Sequence, residues 1–189
     1  MSIDLTTGYL KDARPYFSPN YDDRPEGCEP SLIVIHNISL PPEQFGGNAI
    51  EQLFTNSLNP NEHQFFAEIC HLRVASHLLI RRCGEIVQYV PFHKRAFHAG
   101  ISTFHGKERC NDFSIGIELE GSDYVEFTEQ QYFVLIGVIK TLCLYYPKLD
   151  HKMITGHQNI APGRKTDPGP FFCWERLGDV FKVELPAQA

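Results

Sequence analysis

Two short apolar runs constrain the fold of this chain more than any other feature. Residues 31–35 read SLIVI and residues 114–119 read SIGIEL. Runs of this length and composition predict buried strands. In the second run alternate residues share a face, so Gly116 and Glu118 point away from the isoleucines. The first strand is predicted to end at His36-Asn37.

Helical patterns and turn residues separate the predicted strands. A helix is predicted to begin at Thr128, which forms a capping-box pattern with Gln131, and to stop at Pro147. Gly84 marks the turn of a predicted hairpin. The remaining predicted elements are hairpin strands at 76–81 and 85–90, a short helix at 49–55, a strand at 152–155 and a last helix near Trp174. This alternation predicts a single α/β domain with a central mixed β-sheet flanked by helices.

Three segments are expected along the chain. Residues 1–30 are rich in proline and predict an N-terminal arm packed on the domain. Residues 31–182 are expected to form the domain that carries the chemistry, and residues 183–189 a C-terminal tail. No repeat or linker divides the chain, and 189 residues suit one core.

Charge and composition exclude several classes of function. The net charge of −6 and the pI of about 5.8 give no electrostatic basis for binding nucleic acid or an anionic membrane. No apolar run approaches the length of a membrane span. The six cysteines form no C-x-x-C pair and no secretory signal is recognised, so free thiols in the reducing cytosol are expected. The chain is also expected to be a monomer.

His36, His157 and Asp167 are the candidate metal ligands. Both histidines follow apolar segments, and Asp167 lies in a proline-rich loop whose restricted backbone suits a rigid ligand. Two histidines and one carboxylate, with a fourth position for water, form a known catalytic zinc arrangement. From spacing alone, each histidine could equally be a structural residue at the edge of the core.

Glu118 and Lys165 are the candidate catalytic residues. Glu118 shares its strand face with Gly116, which leaves room for another group to approach. A carboxylate beside an activated water can act as a general base, and a lysine can stabilise an oxyanion. Each could instead be an ordinary surface charge. His77, His93 and His98 could line a cleft, but a structural or surface role is favoured for them, as for His63, His71, His105 and His151.

Five stretches together resemble the AmpD-type 1,6-anhydro-N-acetylmuramoyl-L-alanine amidases of the amidase and peptidoglycan-recognition-protein family. They are SLIVIHNISLPPEQFGG, HLRVASHLLIRR, GEIVQYVPFHKRAFHAG, ERCNDFSIGIELEG and GHQNIAPGRKTDPGPFFCW, in order from about residue 31 to 174. The resemblance implies one Zn²⁺ ion per chain held by His36, His157 and Asp167. It implies catalytic roles for Glu118 and Lys165.

The resemblance further implies substrate-binding roles, which fall on Asn37, Arg73, Arg109 and Ala161. Arginine suits the carboxylates of a peptide stem, although either arginine could be a surface ion-pair residue. Phe97 stands where the family has tryptophan, so an apolar platform for the sugar remains without the indole N–H. Cys83 replaces the usual aspartate of the hairpin turn.

The function expected from these residues is zinc-dependent hydrolysis of the amide between the lactyl group of 1,6-anhydro-N-acetylmuramic acid and L-alanine, in cytosolic recycling of the bacterial wall. Two alternatives stay open: an amidase acting on intact cell wall, and a non-catalytic module that binds muropeptide. A structural zinc site is a further alternative, but it would want a fourth protein ligand.

Overall fold

The structure, a computed structural model, describes residues 1–181. Its strands are β1 (Ile3–Asp4), β2 (Tyr9–Leu10), β3 (Arg14–Pro15), β4 (Tyr21–Asp23), β5 (Leu32–Ile38), β6 (Leu78–Ile80), β7 (Ile86–Gln88), β8 (Lys94–Ala96), β9 (Thr103–Phe104), β10 (Lys107–Glu108), β11 (Ser114–Glu120) and β12 (Ile154–Gly156). Its helices are α1 (Ala49–Phe54), α2 (Gln64–Ile69), α3 (Glu129–Tyr145), α4 (His157–Ile160) and α5 (Glu175–Phe181), and a 3₁₀ turn spans Cys110–Asp112. The predicted tail, 183–189, and residue 182 of the predicted domain lie outside the described residues.

Six strands form one mixed sheet in the order β12-β5-β11-β6-β7-β3. The first four run parallel, β7 is antiparallel to β6, and β3 is parallel to β7. The predicted α/β domain with a central mixed sheet is therefore confirmed. Because parallel strands bring their carboxyl ends to one edge, the residues at the ends of β5, β11 and β12 meet there, where ligands of such sheets usually bind.

The central strands are buried on both faces, which explains why residues 31–35 are apolar with no alternation. On one face, Ile33 and Ile117 are fully buried in a cluster with residues of α3 and α5. On the other face, Leu79 and Val87 pack with residues of α1 and α2. Burying each such side chain contributes about 1.5–3 kcal/mol, so the two layers account for much of the folding free energy.

The N-terminal segment contacts the rest of the chain through strand pairing and through one partly buried cation, Arg24. β3 adds to the sheet beside β7, and β4 pairs with β8. The Arg24 guanidinium is hydrogen-bonded to four backbone carbonyl oxygens, those of Phe92, Asn111, Asp112 and Ser114. The division of the chain into an N-terminal arm that ends at residue 30, a domain and a tail stays a prediction.

Two details of the sequence prediction need correction. β5 does not end at His36-Asn37 but continues to Ile38, because residues 36–38 pair with residues 118–120 of β11. The helices α2 and α4 were not predicted, since α2 starts at the unusual N-cap His63 and α4 has only four residues. Within residues 1–181 no helix combines the length and hydropathy needed to cross a bilayer.

The predicted capping box at the start of α3 is confirmed. The hydroxyl of Thr128 accepts the backbone N–H of Gln131, whose side chain accepts the N–H of Thr128. The same hydroxyl donates to the carbonyl of Arg82 at 2.8 Å and so ties the helix to the hairpin.

Replacing Thr128 by alanine is expected to lower the free energy of unfolding by about 1–2 kcal/mol, because the cap and one tertiary hydrogen bond are lost together. Urea denaturation followed by circular dichroism measures this loss. Thr128→Ser keeps the hydroxyl and serves as the control. A serine variant as unstable as the alanine variant would contradict the assignment to the cap.

Candidate metal centre and active-site cleft

Three side chains from separate segments meet at the carboxyl edge of the sheet. Nδ1 of His36 lies 3.0 Å from Nδ1 of His157, and Oδ2 of Asp167 lies 2.9 Å from the first nitrogen and 3.0 Å from the second. Within residues 1–181 this is the one group of three or more His, Cys, Asp or Glu side chains arranged to hold a metal ion. The structure thus brings together the three residues singled out in the sequence.

Strand pairing places both histidines. Gly156, the last residue of β12, pairs with Ile35 of β5, so the next residue, His157, lies beside His36. On the other side of β5, Glu118 of β11 pairs with His36. His36 on β5 therefore lies between His157 on one side and Glu118 on the other.

Glycine at position 156 also allows the loop 162–170 to reach the site. A Cβ atom added there would lie 2.7 Å from Cδ of Pro168, too close for a side chain. The loop is held at this point by a hydrogen bond of 2.9 Å from the backbone N–H of Gln158 to the carbonyl of Asp167. This contact fixes the backbone of Asp167 relative to the first turn of α4.

The hydrogen bond of the outer nitrogen of His157 leaves its inner nitrogen available to a cation. Its Nε2 lies 3.0 Å from the carbonyl oxygen of Ala99, which only accepts hydrogen bonds, so Nε2 carries the proton and Nδ1 presents a lone pair. That lone pair faces the carboxylate of Asp167, and two acceptors so close repel unless a cation lies between them. Two imidazole nitrogens and one carboxylate oxygen, about 3 Å apart, are a donor set that would suit Zn²⁺.

The protonation states of the cluster also suit a metal. Burial lowers the pKa of His36 to about 4, although the nearby carboxylate of Asp167 acts in the opposite direction. Burial would raise the pKa of Asp167, but the close approach of the His157 and His36 rings outweighs this effect and holds the pKa below its ordinary value. At neutral pH His36 is therefore neutral and Asp167 ionised, as metal binding requires.

Glu118 faces the same cleft and lacks a hydrogen-bond partner. Its carboxyl group is buried, and within the described chain nothing hydrogen-bonds to its Oε2. Burial and the nearby charge of Asp167 raise its pKa well above the ordinary value, and Lys165 opposes this shift. A buried carboxyl group with a raised pKa and a free oxygen is suited to proton transfer.

Lys165 lies exposed at the rim of the cleft on the loop that carries Asp167. Within residues 1–181 its ammonium makes no hydrogen bond or ion pair, so it is available to a ligand. Its backbone N–H donates to the carbonyl of buried Ala161 at 3.1 Å. Ala161, predicted to bind substrate, thus helps to fix the turn that presents Lys165.

The cleft has a polar floor and an apolar wall and encloses about 340 Å³. The cluster of His36, His157 and Asp167 forms the floor together with Glu118. Helices α1 and α2 and the segments after β5 and α2 supply the wall, formed by Leu40, Leu53, Phe54, Phe65, Ile69, Leu72 and Val74. Such a mixture suits a ligand that combines ring or methyl surfaces with a reactive polar bond.

Phe97 lines both this cleft and a second cavity of about 520 Å³. Arg109 lines the second cavity, with its side chain 70% exposed and 3.3 Å from the carboxylate of Asp112. Phe97 thus lies between the cluster of His36, His157 and Asp167 and the cavity that Arg109 lines.

The other two predicted binding residues differ in their surroundings. Asn37 lines the cleft, and its Nδ2 donates to the carboxylate of Asp123 at 2.7 Å. Arg73 instead directs its guanidinium to backbone carbonyls at the end of α2, those of Cys70, His71 and Leu72. Its role in binding stays a prediction, and the structure gives it a helix-capping role.

His98 is the site residue that the sequence prediction undervalued. Its Nδ1 lies 2.9 Å from Nε2 of His36. The space that Gly116 was predicted to leave open is filled by this ring, since a Cβ at residue 116 would lie 2.5 Å from Cγ of His98. A glycine beside Glu118 on the polar strand face was the signal that another side chain had to fit there.

The chain is similar to known amidases along most of its length. Residues 26–170 match the family model described as N-acetylmuramoyl-L-alanine amidase. The 1,6-anhydro-N-acetylmuramyl-L-alanine amidase AmpD of Salmonella typhimurium (strain SL1344) is 61% identical over 170 residues, which are 90% of each chain.

Two solved structures carry the likeness into three dimensions. A crystal structure of a selenomethionine derivative of AmpD matches with a TM-score of 0.92 and 57% identity, over 95% of this chain and 99% of the other. The amidase AmiD of E. coli, solved with the substrate anhydro-N-acetylmuramic acid-L-Ala-D-γ-Glu-L-Lys, matches with a TM-score of 0.56 and 28% identity, over 90% of this chain and 60% of its own.

Proposed function

This chain belongs to the N-acetylmuramoyl-L-alanine amidase family, and on that premise we propose that it is a zinc-dependent amidase acting on 1,6-anhydro-muropeptides. The bond cut joins the lactyl carbonyl of the sugar to the amine of L-alanine. The observation that carries the proposal is the cluster of His36, His157 and Asp167 atoms within 3.0 Å of one another, with the unpartnered Oε2 of Glu118 in the same cleft. The names and ligands of the relatives support the choice of substrate.

His36, His157 and Asp167 would hold the ion. Zinc bound by three protein ligands supplies a Lewis acid and lowers the pKa of water to about 7. Glu118 accepts a proton from the water that attacks the lactyl carbonyl carbon. It then delivers this proton to the nitrogen of L-alanine as the C–N bond breaks, which leaves a lactyl carboxylate and a free amine. Lys165 donates to the oxygen that becomes negative during attack.

The two cavities suggest how the substrate lies. The sugar packs against Phe97, and the peptide stem continues toward Arg109, whose planar guanidinium suits a stem carboxylate. Because Asp123 takes up a donor of the Asn37 amide, the carbonyl of Asn37 is turned to accept a peptide N–H. Ala161 acts through the loop that carries Lys165.

We place the reaction in recycling of wall fragments in the cytosol. All six cysteines are free thiols and none forms a disulfide: Cys28, Cys70, Cys83, Cys110, Cys143 and Cys173. Free thiols in such number suit a reducing compartment.

The test is incubation of purified protein with 1,6-anhydro-muramoyl tripeptide and, separately, with intact sacculi, each with and without added zinc. Mass spectrometry of the products is expected to show rapid release of free peptide from the small fragment and little from sacculi. Removal of zinc by a chelator is expected to abolish release, and added zinc to restore it.

Other outcomes would lead to other functions. Release mainly from sacculi would indicate an amidase of the intact wall. Binding of the fragment without cleavage, by protein shown to contain zinc, would indicate a recognition module and overturn the proposal.

A further inference from the structure

A line of hydrogen bonds leads from His36 away from the cleft to the 3₁₀ turn. Nε2 of His36 lies 2.9 Å from Nδ1 of His98, and Nε2 of His98 lies 3.1 Å from Oγ of Ser114. The hydroxyl of Ser114 donates to the carbonyl oxygen of Cys110 at 2.6 Å. The proposed reaction uses none of these groups except His36.

The final acceptor determines the direction of every bond in this line. A carbonyl oxygen only accepts, so the single hydroxyl proton of Ser114 is committed to Cys110. Ser114 must then accept from His98, which places the proton of that ring on Nε2 and a lone pair on Nδ1. That lone pair in turn accepts the Nε2 proton of His36. The Nδ1 of His36 is left bare and faces Asp167.

The residue next to His98, Ala99, forms a hydrogen bond with the second histidine of the cluster, His157. The carbonyl of Ala99 accepts from Nε2 of His157 at 3.0 Å. The side-chain oxygen of Asn111 accepts the backbone N–H groups of both His98, at 3.2 Å, and Ala99, at 2.8 Å. His98 therefore orients the imidazole of His36 through its ring, and Ala99 orients the imidazole of His157 through its backbone carbonyl.

The ring of His98 also has a fixed place. It packs over Gly116, where an added Cβ would lie 2.5 Å from both Cγ and Nδ1 of the ring. A side chain at position 116 would therefore clash with the ring that orients His36.

We propose that His98 is a positioning residue for the metal centre, holding His36 in the tautomer that offers Nδ1 to the ion. The proposal rests on the proposed zinc function. Without an acceptor at His98, His36 populates the other tautomer, in which a proton occupies the ligand nitrogen. Loss of such an orienting partner typically weakens metal binding about 10–100-fold.

The test compares two substitutions at this position by chelator competition for zinc. His98→Phe keeps an aromatic ring but removes the acceptor, and we expect the zinc dissociation constant to rise about 10–100-fold. His98→Asn restores an acceptor where Nδ1 lies and is expected to recover most of this loss. Gly116→Ala displaces the ring and should resemble His98→Phe. The exposed His93, replaced by phenylalanine, is the matched control and should leave zinc binding unchanged.

A second measurement reports the orientation itself. In ¹H–¹⁵N spectra of the zinc-loaded protein, the Nε2 proton of His36 is expected to be protected from exchange in the wild type and in His98→Asn, and to exchange rapidly in His98→Phe. Folded variants that bind zinc as the wild type does and keep this proton protected would overturn the role of His98 alone. A wild-type protein that binds no zinc would overturn both this role and the proposed function.

Discussion

Replacement of Glu118 by glutamine is expected to lower kcat/KM about 10²–10⁴-fold, the usual contribution of a general acid–base group. The same carboxyl group takes the proton from water and returns it to the leaving amine, so both proton transfers are lost. Zinc content should not change, because Glu118 is outside the ligand cluster. Kinetics on 1,6-anhydro-muramoyl tripeptide, with metal analysis of the same sample, measure both quantities.

The stability of this variant separates a catalytic from a structural role. Since Oε2 of Glu118 is buried with no partner in the described chain, a neutral amide removes the cost of desolvating a carboxylate. The melting temperature is therefore expected to equal or exceed that of the wild type. Glu129→Gln, the same change at an exposed residue of α3, is the control and should retain full activity. Activity of Glu118→Gln within about tenfold of the wild type would exclude the acid–base role.

Asp167→Ala is expected to remove the zinc ion together with the activity. With one of three ligands lost, zinc content should fall from one ion per chain toward none. The rate should drop by about three orders of magnitude or more, because the ion stabilises the transition state by several kcal/mol. Atomic absorption and the fragment assay measure the two effects.

The neighbouring residue provides a control in the same loop. Thr166 is exposed, and Thr166→Ala should retain both zinc and activity. An Asp167→Ala protein that keeps its zinc would mean that the carboxylate is not a ligand, whatever its activity.

The sequence predicted those strands and helix caps that depend on neighbouring residues alone. The apolar run 31–35 became a central strand because it is buried on both faces, and Thr128 caps α3 as its spacing with Gln131 indicates. The ends of elements depend on partners distant in sequence. β5 extends to Ile38 because β11 lies alongside it, and nothing in residues 36–38 alone reveals that pairing.

The sequence predicted which residues form the candidate site, but not the hydrogen bonds that orient them. His36, His157 and Asp167 are recognisable from segment ends, loop chemistry and family resemblance. The orientation of their rings depends on groups such as His98, which lies 62 residues from His36 in the chain. An isolated histidine in a sequence gives no sign of whether its nitrogen donates or accepts. Only the assembled hydrogen bonds distinguish these possibilities.

The strand β3 forms one edge of the six-stranded sheet. It is two residues long and exposed; Pro15 has no backbone N–H to offer, and Arg14 carries a charge held by Glu51 and Glu85. An uncovered β7 would present free backbone groups to any extended peptide, the usual starting point of intermolecular aggregation. By covering that edge with a strand to which another strand is hard to add, the N-terminal segment limits pairing with a second molecule on this side of the sheet.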